Sequence, residues 1–446
     1  MNQTLNQEDS KNTLRKIEDD LIRPLRNHKG FELWILFLLL MFIIGGYAYI
    51  IQLKDGLGVT GLRDYVSWGL YISNFVFFVA ASLIGMLISS VLGLLKIKWI
   101  TPISRIAEMI ALAFAMWAGL VIIIDMGRPD RFPYVLLHAR LQSPILWDVT
   151  VVTTYVAIST LLLVLPLIPD ASILKRRMTD APKWQQFIYT MVSSGWIASP
   201  EQYAIIRKSM RILAILIVPV ALAIHTVTSW LFASTLRPGW DTTIFGPYFV
   251  TGAFVAGVAA VIIGMYFFRV NYRLANYITD FHFNRMGQLL VLVSLVYFYF
   301  NINEFLVPAY KMKTMDVHHL HGLFAGKHAV MFWSVQLFGL IIPLILLIFR
   351  PFRKPLPIMV ISIFVIIGAW LKRYLIVVPA QEHTFLPIQN VPENFMVYQP
   401  TAVEIMLTLL PIAGVLLIIT IIAKLFPVIP IWEIAHEKGV DESILK

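Results

Sequence analysis

Ten apolar segments, each about 20 residues long, constrain the fold of this chain more than any other feature. An α-helix of that length crosses the roughly 30 Å of hydrocarbon in a bilayer. Hydrophobic residues fill 58% of the 446 positions and charged residues only 14%, whereas soluble domains are about a quarter charged. We therefore predict an all-α integral membrane protein with ten transmembrane helices. The predicted spans are Phe31–Leu53, Tyr65–Leu94, Pro102–Ile124, Pro144–Leu167, Ser209–Phe232, Ile244–Phe268, Met286–Val307, His328–Ile348, Leu356–Val378 and Thr401–Leu425.

A weak internal repeat organises these spans. Short segments of the first half resemble segments of the second half in the same order, which indicates a parallel duplication and not an inverted one. The matched pairs are Trp68–Phe78 with Phe245–Val255, Ser104–Leu112 with Asn284–Leu292, and Pro144–Val149 with Val330–Val335. We expect two related four-helix bundles, formed by spans two to five and spans six to nine, with spans one and ten flanking them.

Basic residues in the loops predict the orientation of the chain. Most of the 36 lysines and arginines fall in the two tails and the even-numbered loops if the N-terminus is placed inside. Both termini are then cytoplasmic in a bacterial inner membrane, and the Asp125–Ser143 loop is periplasmic. The expected parts are a polar tail at 1–30 without signal-peptide features, a membrane domain at 31–430 with bundles at 65–232 and 244–378, and a tail at 431–446.

Composition excludes several kinds of redox centre. The chain has no cysteine, which excludes disulfides, thiolate-held iron–sulfur clusters and c-type haem attachment. A membrane haem b usually takes two histidines on facing helices, but His225 has no second mid-span histidine to pair with, so we expect no haem. Histidines 318, 319 and 321 lack a nearby cysteine or carboxylate set, and we expect no metal. We attribute the net charge of +10 to membrane anchoring and expect no nucleic-acid partner.

The stretch Asp125–Val152 holds the strongest candidate site. Ser143 followed by Pro144 predicts a helix start, because serine caps helices and proline suits the first helical position. Asp148 then lies in the second turn of a membrane helix, and His138 lies in the loop before it. A carboxylate and an imidazole at this entrance suit proton uptake from a lipid-soluble donor. The alternatives are a solvated interfacial carboxylate and a surface histidine.

Aromatic and polar residues on the same side of the membrane complete this candidate site. A quinone ring needs apolar or aromatic walls and a few polar groups at its carbonyl oxygens. We expect these groups to come from Trp68, Tyr71, Asn74, Arg131 and Trp147. The alternative is that the aromatic residues are interfacial anchors and that Arg131 binds lipid headgroups.

Further ionisable residues in or near the spans are candidates for a proton path. They are Glu108, Asp125, His225 and Glu304. Ionisable groups inside a membrane usually serve a site or a pathway. The alternatives are helix-end caps and interhelical hydrogen bonds. The repeat places Ser334 of the second half where the first half has Asp148. Because only the first bundle has an ionisable group at this position, we expect the reaction to take place in the first bundle.

Four motifs carry a resemblance to a known family. MGRPDRF, SPILWDV, WGLYISNFVFF and GAWLKRYLIVVP all occur on this ten-span chain. It resembles the NrfD/polysulfide-reductase membrane subunit family over about residues 30–430. The likeness is to the ten-span branch, which includes the quinol-oxidising subunits of alternative complex III and menaquinone reductase membrane subunits.

This resemblance implies a function within a respiratory oxidoreductase complex. Members exchange electrons between membrane quinone, here menaquinone or menaquinol, and an iron–sulfur subunit docked on the outer, periplasmic face. They carry no redox cofactor of their own and assemble with other membrane subunits. By motif position, His138 and Asp148 are the implied quinone-site pair. Some members are thought to couple the reaction to proton translocation through polar residues of the bundles.

Two other functions stay open at this point. A secondary transporter or ion channel also suits internal repeats and intramembrane charges. The chain could also be an anchoring or proton-conducting subunit that has the same fold but no quinone site. Co-purification with iron–sulfur or molybdenum subunits favours the quinone function, whereas purification as a lone, transport-active protein favours the transporter.

Overall fold

The computed structural model describes residues 7–26, 30–384 and 389–440, and this part of the chain is helical without any strand. All ten predicted spans are present as helices long and apolar enough to cross a membrane, which confirms the all-α membrane fold. The helices are α1 Gln7–Arg26, α2 Phe31–Asp55, α3 Leu70–Leu94, α4 Thr101–Asp125, α5 Tyr134–Leu137, α6 Pro144–Val164, α7 Leu167–Arg177, α8 Lys183–Val192, α9 Pro200–Ala233, α10 Phe245–Asn271, α11 Asp280–Lys311, α12 Thr314–Phe324, α13 Ala329–Gln336, α14 Ile342–Ile348, α15 Pro355–Gln381, α16 Ala402–Leu425 and α17 Ile431–Glu437.

The spans are α2, α3, α4, α6, α9, α10, α11, α13 with α14, α15 and α16. We call the side that carries residues 126–143 the loop face, and the side that carries α1 and α17 the terminal face. Helix α9 begins nine residues before the predicted span, at Pro200, where Ser199 and Gln202 form a capping box. Span eight is interrupted by a π-helical segment, Leu337–Ile341.

Spans two to five, which are α3, α4, α6 and α9, pack against one another. Helix α3 packs on α4 and α9, and α6 packs on α4 and α9. In the second half, α10 packs on α11 and α15, and it also packs on α3. Helix α2 packs chiefly on α16, where the backbone of Gly45 lies against Leu410. The two-bundle division stays a prediction, because α10 also joins the two halves closely.

The N-terminal segment predicted as a tail contains a helix that covers the terminal face. Helix α1 buries a stripe of apolar side chains at helical spacing and packs on α16 and α17. The stripe consists of Leu14, Ile17, Leu21, Ile22 and Leu25. Within the same stripe, Glu18 is buried and accepts from Arg177 of α7 at 2.9 Å. The segment is therefore an integral layer of the fold.

A buried ion pair fastens the C-terminal segment to the same face. Arg105 of α4 donates to Asp170 of α7 at 2.6 Å, and both side chains are at most 1% exposed. Asp170 also accepts the backbone N–H groups of Ile431 and Trp432 at 3.2 and 3.1 Å. The carboxylate thus neutralises the guanidinium and also accepts the first N–H groups of α17.

Candidate functional site

Asp148 is held on the buried side of α6. Ser143 occupies the position before the helix with extended backbone, as predicted, although its side chain makes no capping hydrogen bond. Asp148 is 2% exposed and faces α9, where the hydroxyl of Thr228 lies 2.7 Å from Oδ1. Its other oxygen, Oδ2, is buried and has no hydrogen-bond partner among the described residues. The carboxyl is therefore only half satisfied by the protein.

The hydroxyl of Thr228 faces two acceptors. It also lies 2.7 Å from the carbonyl oxygen of Ile224, one turn earlier on α9. A hydroxyl has one proton, so it can make a full hydrogen bond to that carbonyl or to a carboxylate, but not to both. A protonated Asp148 resolves this, because it donates to the Thr228 oxygen while Thr228 donates to Ile224. The arrangement suits a carboxyl that binds and releases a proton.

Two tryptophans lie on the lipid side of the same helix pair. Trp147 of α6 and Trp230 of α9 are 37% and 49% exposed, and their rings meet edge to face with centroids 6.4 Å apart. The indole of Trp147 donates to the carbonyl oxygen of Leu141. Each tryptophan is within two positions of Asp148 or Thr228 in sequence. The carboxyl therefore lies close behind an aromatic seam that faces lipid.

His138 lies in a different environment from Asp148. It follows α5 on the exposed loop, and its ring contacts Tyr134 at 5.4 Å between centroids. Arg131 is exposed on the same loop. Within the described residues no hydrogen bond or ion pair joins His138 or Arg131 to Asp148. The structure brings Asp148 together with Thr228, a residue that sequence reasoning did not single out.

The three candidates near the start of α3 face three different neighbours. Trp68 is stacked on Trp240 at 5.8 Å between centroids. The Tyr71 hydroxyl donates to Gln52 of α2 at 2.7 Å. Asn74 donates to Thr408 of α16 at 2.9 Å and accepts from Trp370 of α15 at 2.7 Å. These bonds tie α3 to its surroundings, and they do not collect the three side chains around one point.

Two proton-path candidates lie on α4. Glu108 is buried at 4% exposure and accepts a short hydrogen bond from Ser89 of α3. Asp125 ends α4 at the loop face, and its Oδ1 is buried without a partner among the described residues. They are near opposite ends of the helix, with Asp148 on the neighbouring α6.

The other two candidates lie near a set of cations that sequence reasoning missed. Glu304 of α11 accepts from Lys372 of α15 at 3.0 Å, and both side chains are largely buried. Arg373, the next residue, is 2% exposed, and its Nε and Nη1 have no hydrogen-bond partner among the described residues. His225 of α9 is 1% exposed, and its Nε2 is also without such a partner. The signal was present, because Lys372 and Arg373 interrupt an apolar span.

Two small cavities meet at Lys372. The first, about 20 Å³, is lined by Lys372, Arg373, Asn301 and Gln336 among others. The second, about 10 Å³, extends from Lys372 and Glu304 to His319 at the loop face. A cavity of roughly 10–15 Å³ or more holds one water molecule when polar groups surround it. The first cavity has room for a water, and the second is at that limit.

Histidines on the loop face adjoin the second cavity. The His319 ring is buried beside His383, with ring centroids 6.3 Å apart. Burial, together with the charges of His383 and Lys372, lowers the pKa of His319 to about 4. Glu382 bonds His328 and Lys327, each at 2.8 Å. In the described ranges no three histidine, aspartate or glutamate side chains converge as metal ligands.

Comparison with known proteins identifies the family. Residues 58–384 match the family model described as polysulphide reductase, NrfD. A protein of Halobacterium salinarum, named for a dimethyl sulfoxide reductase membrane subunit, is 30% identical over 72% of this chain and 70% of its own length. A selenate reductase subunit from Mesobacillus selenatarsenatis is 26% identical over 76% of this chain and 79% of its own length.

A further relative matches almost end to end. The Hdr-like menaquinol oxidoreductase integral membrane subunit of Archaeoglobus fulgidus is 24% identical over 96% of this chain and 99% of its own length. By their names these relatives are subunits of redox enzymes, and the first and third are membrane subunits, in agreement with the resemblance noted from four motifs. The chain belongs to the NrfD family of oxidoreductase membrane subunits.

Proposed function

We propose that this chain is the quinone-exchanging membrane subunit of an oxidoreductase complex, and that Asp148 binds a proton of the quinol. The observation that supports this most is the buried carboxyl of Asp148, which has one hydrogen bond, from Thr228, and one free oxygen. The name of the Archaeoglobus relative, a menaquinol oxidoreductase subunit, supports menaquinol as the substrate. The alternative of a lone secondary transporter has no such support.

The proposed reaction is a two-electron oxidation of menaquinol to menaquinone. The two O–H bonds break, two protons leave and two electrons pass to an iron–sulfur subunit on the loop face. Asp148 accepts one proton, and the protonated carboxyl then donates from Oδ1 to the Thr228 oxygen while Thr228 donates to Ile224. We assign the second proton to His138, whose exposed position on the loop favours release to water. Reduction of menaquinone runs the same steps in reverse.

The lipid-facing seam of α6 and α9 is the proposed point of access. Trp147 and Trp230 expose flat apolar surfaces to lipid on either side of the helix contact. A quinone ring stacked on their lipid-facing surfaces would lie beside the turn of α6 that carries Asp148. Aromatic walls around one titratable group are the kind of surroundings that a quinone ring needs.

The experiment is replacement of Asp148 by asparagine in the complex as purified from membranes. We expect menaquinol turnover to fall at least about a hundredfold, as is typical when a general acid–base group is lost. The purified complex should keep all its subunits, because asparagine still bonds Thr228. Asp241→Asn, at an exposed aspartate on the loop face, is the matched control and should keep full turnover. Turnover above half of the wild-type value in the Asp148 variant rejects the assignment.

A second candidate function is proton movement through the second half of the chain. It rests on the Glu304–Lys372 pair and on the two cavities that meet there. The test is Glu304→Gln in vesicles that contain the complex. Quinol turnover should persist while the number of protons moved per electron falls. An unchanged proton count would exclude this route.

A further inference from the structure

A large cavity between the outer helices has a polar mouth and an apolar interior. Its volume is about 740 Å³, and it lies between α2 and α16 on one side and α10 and α15 on the other. It extends from the terminal face inward to Asn74 and Trp370. Apolar lining residues come from several helices, including Phe77, Phe114, Ile263, Phe267, Ile367 and Leu416. The cavity exists because α2 packs chiefly on α16 and leaves the surfaces of α10 and α15 uncovered.

The cavity is open to the lipid on its side. Phe267 of α10 and Ile367 of α15 line it and are 53% and 48% exposed, and Trp34 of α2 is 39% exposed at the mouth. A lipid chain can therefore enter between the helices without unfolding them.

The polar groups of the cavity are concentrated at its mouth on the terminal face. Lys424, Asn271, Tyr272 and Thr420 line this end, and the Trp34 indole donates to Thr420 at 3.0 Å. The Lys424 ammonium lies 5.1 Å from the centre of the Phe31 ring. In the described part of the chain, no carboxylate lies within ion-pair distance of Lys424. A cation without a counter-ion therefore stands at the entrance of an apolar cavity.

Among the described residues, the polar side chains that line the opposite end of the cavity are already hydrogen-bonded. Asn74 and Trp370 bond each other, and Asn74 also bonds Thr408. An occupant with its polar head at the deep end would have to break these bonds, whereas an occupant with its head at the mouth would meet Lys424. A quinone head is neutral and leaves that charge unpaired, but a phosphodiester neutralises it.

We propose that this cavity is a binding site for one anionic phospholipid from the leaflet at the terminal face. The phosphate pairs with Lys424, and Trp34 and Tyr272 flank the headgroup as interfacial aromatics do. The acyl chains fill the apolar interior as far as Trp370. The lipid thereby completes the contact between α2 and the surfaces of α10 and α15. This proposal does not depend on the quinone function.

The test measures lipid binding to the purified complex by native mass spectrometry, with phosphatidylglycerol and phosphatidylcholine as probes. In wild type we expect one phosphatidylglycerol to bind more tightly than phosphatidylcholine. Lys424→Gln should weaken phosphatidylglycerol binding about fivefold and leave phosphatidylcholine unchanged, because one basic residue near an anionic lipid contributes that much. Lys183→Gln, at an exposed lysine of α8 outside the cavity, is the control and should bind as wild type does.

The second part of the test fills the cavity with a large side chain. Ile263→Trp and Ile367→Trp, on two different helices, should each remove the bound lipid, so misfolding of one variant does not decide the outcome. Lipid binding is compared only for variants that elute from size-exclusion chromatography as the intact complex. Equal phosphatidylglycerol affinity in wild type and Lys424→Gln would overturn the proposal. Recovery of quinone instead of phospholipid from the wild-type cavity would also overturn it.

Discussion

Asp148 on α6 and Thr228 on α9 share a hydrogen bond of 2.7 Å, although they are 80 positions apart in the sequence. The bond places the threonine hydroxyl between a carboxyl and a backbone carbonyl. Because one hydroxyl proton makes a full hydrogen bond to only one acceptor, both bonds are complete when Asp148 carries a proton and donates it to Thr228. The proposed quinol chemistry depends on this relationship.

Replacement of Thr228 by valine tests the pair without changing its shape. Valine removes the only protein hydrogen bond to the Asp148 carboxyl among the described residues, and the loss of one partner of a buried polar group costs about 1–3 kcal/mol. We therefore expect quinol turnover to fall about tenfold to a hundredfold, with a shift of the pH–rate profile. Thr228→Ser keeps the hydroxyl and should retain most of the activity. A valine variant within twofold of wild type at every pH would show that Thr228 does not position the carboxyl.

The Arg105–Asp170 pair should be a strong determinant of stability. Asp170→Asn leaves a guanidinium buried without its counter-charge, which typically costs about 3–5 kcal/mol. We expect a large drop in the melting temperature of the purified complex and loosening of α17, detected as faster proteolysis after residue 430. The control is Asp130→Asn, because the Arg128–Asp130 pair is 63% and 59% exposed and such pairs contribute about 0–1 kcal/mol. Equal melting temperatures for the two variants would contradict this role.

His319 should make the stability of the second half depend on pH. Its pKa is lowered from 6.5 to about 4, mainly by burial. Between these values the unfolded chain binds a proton that the folded chain does not, so the stability present above pH 6.5 is lost as the pH falls toward 4. The full loss is roughly 3 kcal/mol.

The measurement is melting temperature against pH for His319→Gln and for wild type. The melting temperature of the His319→Gln variant should fall much less below pH 6.5 than that of wild type. His321→Gln, at an exposed histidine of the same helix α12, should keep the wild-type curve. If both variants show the wild-type dependence of melting temperature on pH, a group other than His319 causes the loss of stability below pH 6.5.

The crossing of α15 with span eight should not tolerate a side chain. A Cβ on Gly368 would lie 2.5 Å from the Cα of Gly339, so one of the two helix backbones would have to shift. Gly368→Ala should therefore lower stability by about 1–3 kcal/mol, the usual cost of overpacking. Gly46→Ala in α2 meets nothing within 4 Å and should be neutral or stabilising by up to about 1 kcal/mol. Thermal unfolding of both variants checks the contrast.

The fold was predictable where hydropathy decides it. All ten spans were predicted from the length of the apolar segments, because an apolar segment of about 20 residues that crosses a bilayer must satisfy its backbone hydrogen bonds as a helix. Helix α1 was missed because its apolar stripe is short and lies among charged residues, so only its contact with α16 and α17 makes it a layer of the fold. The repeat is reflected in one detail, because the Trp147 indole donates to Leu141 in the preceding loop and the Trp333 indole donates to Phe324 at the end of the preceding helix α12. That detail does not establish the two-bundle division.

The candidate site was only partly predictable. Asp148 was found because a carboxylate in a membrane helix is rare, and its burial agrees with that reasoning. Thr228 was not found, because hydroxyl residues are common in membrane helices and its distance from Asp148 in sequence hides the contact. Lys372 was passed over as part of a resemblance motif, although its pairing with Glu304 is the kind of contact that a charge in a span requires. The exposed position of His138 depends on how a loop folds, which hydropathy does not encode.

The most direct test of the central claim is photo-crosslinking with an azido-menaquinone in membranes that contain the complex. We expect label on peptides that contain Trp147 or Trp230, and we expect this label to disappear when excess menaquinone competes. Peptide mass spectrometry identifies the labelled residues. Competable label elsewhere in the chain, with none on the α6–α9 seam, would contradict the account.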